Sequence, residues 1–155
     1  MVHPLIGIHA FLGELGILAF VWIVAELLNP TPKRIQRAKI AGILAVLFFF
    51  ISWAAGGYYY VNYYGPDVKP LIKEGQTPWV HSVLMETKEH VFLFIPFLSL
   101  LCLGLIFKYS KTNEKKTRDA ILLLSLFIIL LGFAMAGMGY LISNAARQAL
   151  EVKVL

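Results

Sequence analysis

Four histidines and a few carboxylates lie in or beside stretches that are otherwise apolar. His9 sits in "HPLIGIHAFLGELG" and His90 in "VHSVLMETKEHVFLF". An ionisable side chain inside a membrane helix costs about 3 kcal/mol or more, so such a position points to function by default. Two imidazoles at one depth in a helical bundle can grip a metal-bearing ring, and bundle interiors are common seats for haem and metals. The neighbours of His9 favour a flat ring over a bare ion. Gly13 and Gly16 follow it at i+4 and i+7, on the same helix face, and take away side-chain volume below the imidazole. Gly56-Gly57, Gly132, Gly137 and Gly139 add further small residues at the same expected depth, although close helix packing alone would also use them. A b-type haem held by His9 and His90 would carry electrons, since both axial positions are filled.

The remaining polar groups take supporting parts. His3 and His81 lie farther out and are candidates for a second haem or metal; His81 is on the helix face opposite His90 and cannot serve the same iron. Arg147, Lys88 and the tyrosines at 58 to 60 are candidates for the haem propionates, and Arg147 is the best of them because a guanidinium grips a carboxylate bidentately. A snorkelling arginine at a helix end would look the same. Glu14, about 140° around the helix from His9, could relay protons or bind a quinol hydroxyl, or be protonated and packed. In "METKEH" a carboxylate and an imidazole fall at i, i+4, the vocabulary of di-iron bundles, but those draw carboxylates from every helix. The expected second and fourth helices supply none within the membrane, so Glu86 or Glu89 is read as orienting a histidine or meeting water.

These residues must be placed by helices. The chain has 155 residues, 59% hydrophobic and 15% charged, where a soluble domain carries about a quarter charged residues. About 20 apolar residues are needed to cross a hydrocarbon core of roughly 30 Å. Unbroken apolar runs without alternation are not barrel strands. The expected fold is all-α: an integral membrane four-helix bundle, up-down-up-down, one domain over 1–155, with helices at about 5–28, 38–62, 78–108 and 117–146. The N-terminus lacks a basic n-region and a small-residue cleavage site, so the first helix is expected to persist. Cys102, the single cysteine, excludes an internal disulfide and a cysteine zinc site.

Charge sets the expected orientation. Nine of the fourteen Lys and Arg residues fall in the segments 29–39 and 108–119, which the positive-inside rule assigns to the cytoplasm of an inner or plasma membrane. Both termini and the long 61–89 connection then face the non-cytoplasmic side. The tyrosines of that connection and Trp79 suit an interfacial aromatic belt, and Pro78 suits the first turn of a helix projecting from the membrane. The net charge of +5 comes from this asymmetry and gives no case for nucleic acid.

The pieces "HPLIGIHAF", "KEHVFLF" and "AGMGYLI" resemble a widespread family of four-helix membrane proteins whose first helix opens with a pattern close to HP-x-x-V-H-F-P-I. The resemblance covers most of the chain, but His9 is preceded by Gly7-Ile8 and followed by Ala10 without the usual proline, and an extra outer segment precedes the third helix. It implies a small b-type cytochrome with His9 and His90 on the family's histidine positions. The combined expectation is an electron carrier between quinol or quinone and an outer-face redox partner, a multihaem cytochrome c or an iron–sulfur protein, within a larger complex. Two competitors stand beside it: a cofactor-free structural subunit, and a metal-ion or proton transporter. A transporter would be expected to carry polar groups through the inner half of the bundle, where the spans are almost wholly Leu, Ile, Phe and Ala.

Overall fold

A computed structural model describes residues 3–154, and side chains through Val152. The described chain is helical apart from short turns: α1 (Pro4–Leu28), α2 (Pro32–Tyr59), a π-helical stretch (Tyr60–Val68), α3 (Lys69–Glu74), a second π-helical stretch (Val80–Met85), α4 (Glu86–Phe92), α5 (Phe94–Thr112) and α6 (Lys115–Val154). Four continuous helical runs are long and apolar enough to cross a membrane. α1 packs on α2 and α6, α2 packs on α5, and α5 packs on α6, which closes a ring of four. Phe20, Ile23, Leu27, Phe49, Ile95, Ile106, Ile121 and Ile128 fill the centre. Large apolar side chains such as Leu18, Leu47, Leu100, Leu123 and Leu130 stand exposed on the outside. Exposure on that scale suits lipid rather than water.

The connections differ from the sequence expectation. Segment 29–39 is not a loop: the Thr31 hydroxyl accepts the Arg34 amide at 3.3 Å, Pro32 occupies the first turn, and Lys33, Arg34, Arg37 and Lys39 already lie on α2. An N-cap followed by proline starts a helix whatever charge follows. Segment 108–119 shrinks likewise to Asn113 and Glu114, with Asn113 in the left-handed conformation (φ 52°) that closes α5. The α1–α2 turn is locked by charge. Glu26 is buried; its Oε1 accepts from Trp22 at 2.9 Å and its Oε2 from Arg34 at 2.9 Å, and Arg37 spans both oxygens, 2.8 Å from Oε1 and 3.1 Å from Oε2. Arg34 also donates to the carbonyls of Asn29 and Ala25, closing the end of α1.

Between residues 62 and 78, where a loop with punctuation was expected, the chain stays helical through Gly65-Pro66 to Glu74, and the helix expected from Pro78 is helical from Val80 onward. Pro66 cannot donate a backbone hydrogen bond, and the wider π-helical turn from Tyr60 to Val68 accommodates it. A second, smaller core forms there from Tyr64, Ile72, Val80, Ile142 and Ala145. Where one helix from Pro78 to Phe107 was expected, a helical run extends from Val80 to Thr112. Pro96 removes the amide that would bond the carbonyl of Phe92, and Leu93, between α4 and α5, keeps right-handed helical dihedrals (φ −57°, ψ −32°).

Candidate functional site

The two cores meet at a cavity of about 750 Å³, within the usual range for a small-molecule or cofactor site. α1 contributes Ile6 and His9, the end of α2 contributes Trp53 to Tyr59, and the first π-helical stretch contributes Tyr60 and Tyr64. Met85 to Leu93 and the stretch of α6 from Gly139 to Leu150 complete the wall. Four of the residues read as site residues from sequence line it: His3, His9, His90 and Arg147.

His9 is fixed from α2. Its Nδ1–H donates to the Ser52 carbonyl at 2.9 Å, and the Ser52 hydroxyl donates back to the His9 carbonyl at 2.7 Å. A carbonyl can only accept, so the proton is on Nδ1 and the lone pair is on Nε2. The close approach requires glycine on α2: a methyl group at Gly56 would stand 2.6 Å from Nδ1. Phe92 meets the imidazole edge to face, ring centroids 5.2 Å apart. Gly56→Ala is therefore expected to push the His9 ring off the Ser52 carbonyl, seen as altered His9 ¹⁵N shifts with helicity retained. Unchanged shifts would mean that the ring needs no such clearance.

His90 is fixed by its own helix. Its Nδ1–H donates to the Glu86 carbonyl one turn back, at 2.6 Å, which again leaves Nε2 with the lone pair. Its side chain is 72% exposed, whereas His9 is half-buried. The Glu86 backbone, not its carboxylate, orients this ring. The carboxylates of Glu86 and Glu89 and one ring nitrogen of His90 lie within 4.8 Å of one another, and Oε2 of Glu89 is buried without a hydrogen-bond partner among the described residues.

The other candidates are dispersed. His3 is the N-cap of α1: its Nδ1 accepts the Leu5 amide at 3.3 Å, and its ring lies 4.2 Å from that of Tyr63. His81 is buried outside the cavity lining, bonded at Nδ1 to the Tyr64 hydroxyl at 3.0 Å, so the structure separates it from His3. Glu14 is exposed on α1 and does not line the cavity. Gly13 and Gly16 do not leave room for a ring. A methyl at Gly16 would stand 2.5 Å from the Phe49 ring, and one at Gly13 would stand 3.4 Å from the Ser52 hydroxyl, so α2 fills both clearings. The glycines on the cavity are Gly56, Gly57 and Gly139.

Arg147 is exposed, and its guanidinium is held along α6 by the carbonyl and hydroxyl of Ser143 at 3.4 and 3.3 Å. Lys88, on the same cavity, enters no ion pair among the described residues, and its Nζ crowds Gly139, where a methyl would stand 2.6 Å away. Sequence reading missed Ser52 and Tyr64, and it named Gly56 as a small residue at the depth of the histidines without pairing it with His9. Ser52 and Gly56 sit at i, i+4 on one face of α2, a polar and a small residue within "FFFISWAAGG", and that pairing was the available signal.

Fold and site together define a helical protein with four membrane-length helices and a cavity at one end of the bundle, lined by aromatic residues, three histidines and two cations. No family model, no characterised protein and no solved structure matches the chain.

Proposed function

We propose that this chain is a membrane-bound b-type cytochrome in which His9 and His90 hold one haem in the cavity. The observation that carries the reading is the matched state of the two imidazoles. Each lines the same cavity, and each gives its Nδ1 proton to a backbone carbonyl, so that Nε2 keeps the lone pair a metal needs. Arg147 and Lys88 suit the propionates: Arg147 as a planar donor, Lys88 as a point charge. Tyr58, Tyr59, Tyr60, Trp53 and Phe92 offer flat apolar walls. Haem, when bound, supplies one-electron chemistry, and the protein sets its position and surroundings.

In this reading electrons pass between quinol or quinone and a redox partner at the cavity end of the bundle, a multihaem cytochrome c or an iron–sulfur protein, with the chain as one subunit of a larger assembly. The basic residues at the two tight turns orient those turns to the cytoplasm and both termini to the other side of an inner or plasma membrane. The similarity of "HPLIGIHAF" and "KEHVFLF" to the four-helix family points the same way. An optical spectrum of detergent-purified protein, produced with ample haem supply, tests it. The expected result is a Soret band and a sharp α-band on reduction, and a colourless preparation would overturn the reading.

One observation favours the structural alternative. Gly16 receives Phe49 and a methyl at Gly132 would stand 2.6 Å from Ile17, so part of the glycine pattern serves helix packing alone. A cofactor-free packing subunit would give no visible absorption.

A further inference from the structure

Beside the proposed haem ligands lies a second set of titratable side chains, none of which is a proposed ligand. Tyr64 and His81 are each 2% exposed. The Tyr64 hydroxyl lies 3.0 Å from Nδ1 of His81, and Nε2 of His81 lies 3.4 Å from the Glu86 carboxylate. Tyr64 lines the cavity, His81 does not, and the Glu86 side chain is 42% exposed. The order is therefore cavity wall, buried imidazole, carboxylate open to the exterior.

A buried tyrosine and histidine can simply satisfy one another. The placement of Glu86 asks for more. A carboxylate beside the far nitrogen keeps the proton of the neutral ring on Nε2, which leaves Nδ1 free to accept from Tyr64, and it stabilises the imidazolium when a second proton arrives. Burial is the strongest influence against a charged ring, and Lys69 and Lys73 of α3 act with it, while Glu86 and Glu89 favour the charge. Tyr64, having donated its proton towards His81, keeps lone pairs for a donor inside the cavity.

We infer that Tyr64 and His81, backed by Glu86, form the proton acceptor for a hydroxyl-bearing aromatic ligand of the hydroquinone class bound in the cavity. The inference rests on the reading above, in which such a ligand supplies the electrons. The ligand O–H bond breaks and its bonding pair stays on the ligand oxygen. That proton goes to the Tyr64 oxygen as the Tyr64 proton goes to Nδ1 of His81. The ligand loses one proton, His81 gains one, and the imidazolium pairs with Glu86. One electron leaves separately to ferric haem, the one-electron oxidant of this scheme, and the ligand becomes a neutral semiquinone. The proton on His81 returns through Tyr64 to water entering the cavity, and once the redox partner has reoxidised the haem the same steps take the second proton and second electron, so that the ligand departs as the quinone.

Two measurements on the full chain in lipid nanodiscs test this. The first needs no haem: binding of a short-chain p-hydroquinone and of its dimethyl ether, which has no hydroxyl proton to give. Tyr64→Phe is expected to weaken hydroquinone binding about tenfold and to leave ether binding unchanged. Equal effects on both ligands, or on neither, would overturn the inference. The second is haem reduction by the same hydroquinone. His81→Gln is expected to slow it at least tenfold and to change its solvent isotope effect, with the haem spectrum and reduction by dithionite unaltered. Glu86→Gln, at a more exposed position, is expected to slow it less. Reduction at the wild-type rate in His81→Gln would sink the proton acceptor. A colourless wild-type protein that still discriminates hydroquinone from its ether would remove the haem reading and leave the Tyr64 site standing.

Discussion

Haem-loaded protein carrying His90→Ala is expected to lose the Soret band and the sharp reduced α-band completely, as is His9→Ala, while His81→Ala keeps both. The three histidines separate the roles because they differ in what they touch. His90 is largely exposed and bonds only within its own helix, so its removal should leave the helical content of the protein unchanged. Loss of colour in that variant would then report lost ligation, not lost structure. His9 ties α1 to α2 through Ser52, so alanine there should also cost about 1 kcal/mol of stability. His81 is the most buried of the three, yet it lies outside the cavity lining. A His90→Ala protein that keeps its spectrum would end the assignment of the axial pair, and circular dichroism on the same samples gives the control.

The second large effect is expected at the α1–α2 interface. Phe49→Ala should destabilise the protein by roughly 3 kcal/mol, the low end for a buried phenylalanine. Phe49 is 1% exposed, lies over Gly16 and stacks on Phe20 with centroids 5.9 Å apart. Between helices in lipid little of its worth is transfer from water, because the surrounding chains are as apolar as the ring. Lost dispersion contacts and the void dominate. Gly16→Ala should cost about 1–3 kcal/mol for the opposite reason, since the added methyl has nowhere to go unless the ring moves. The double variant Gly16→Ala/Phe49→Leu should recover part of the loss, because the two changes share one space. Unfolding in mixed detergent measures these variants together with Phe49→Leu alone, and strict additivity of Gly16→Ala and Phe49→Leu would show that the glycine and the ring are not partners.

The four membrane-length helices were legible in the sequence because length and apolarity are local properties, readable without knowing what packs where. The turns were harder. Lys33, Arg34, Arg37 and Lys39 read as loop residues by charge, but Thr31 and Pro32 start α2 ahead of them, and local capping outweighs composition at a helix end. Gly65-Pro66 read as a break, while the chain widens into a π-helical turn and continues. Histidine at 9 and 90 was legible as chemistry in an apolar setting. What holds those rings was not: Ser52 is forty-three residues from His9, and nothing in a single sequence pairs them. The glycines carried the opposite lesson. Gly16 and Gly56 look alike on paper, yet one receives Phe49 and the other His9, and only the facing helix decides which.

The proline at position 96 has a mechanical result. Bending in a continuous helix is shared among all its turns, but one absent backbone hydrogen bond gathers the compliance at one place. His90 lies on one side of that place, and Ile95, Cys102 and Ile106 anchor the other. Val91 and Phe92, next to His90, pack against the same central core, so the seat of that imidazole is braced by its own neighbours across the weak point.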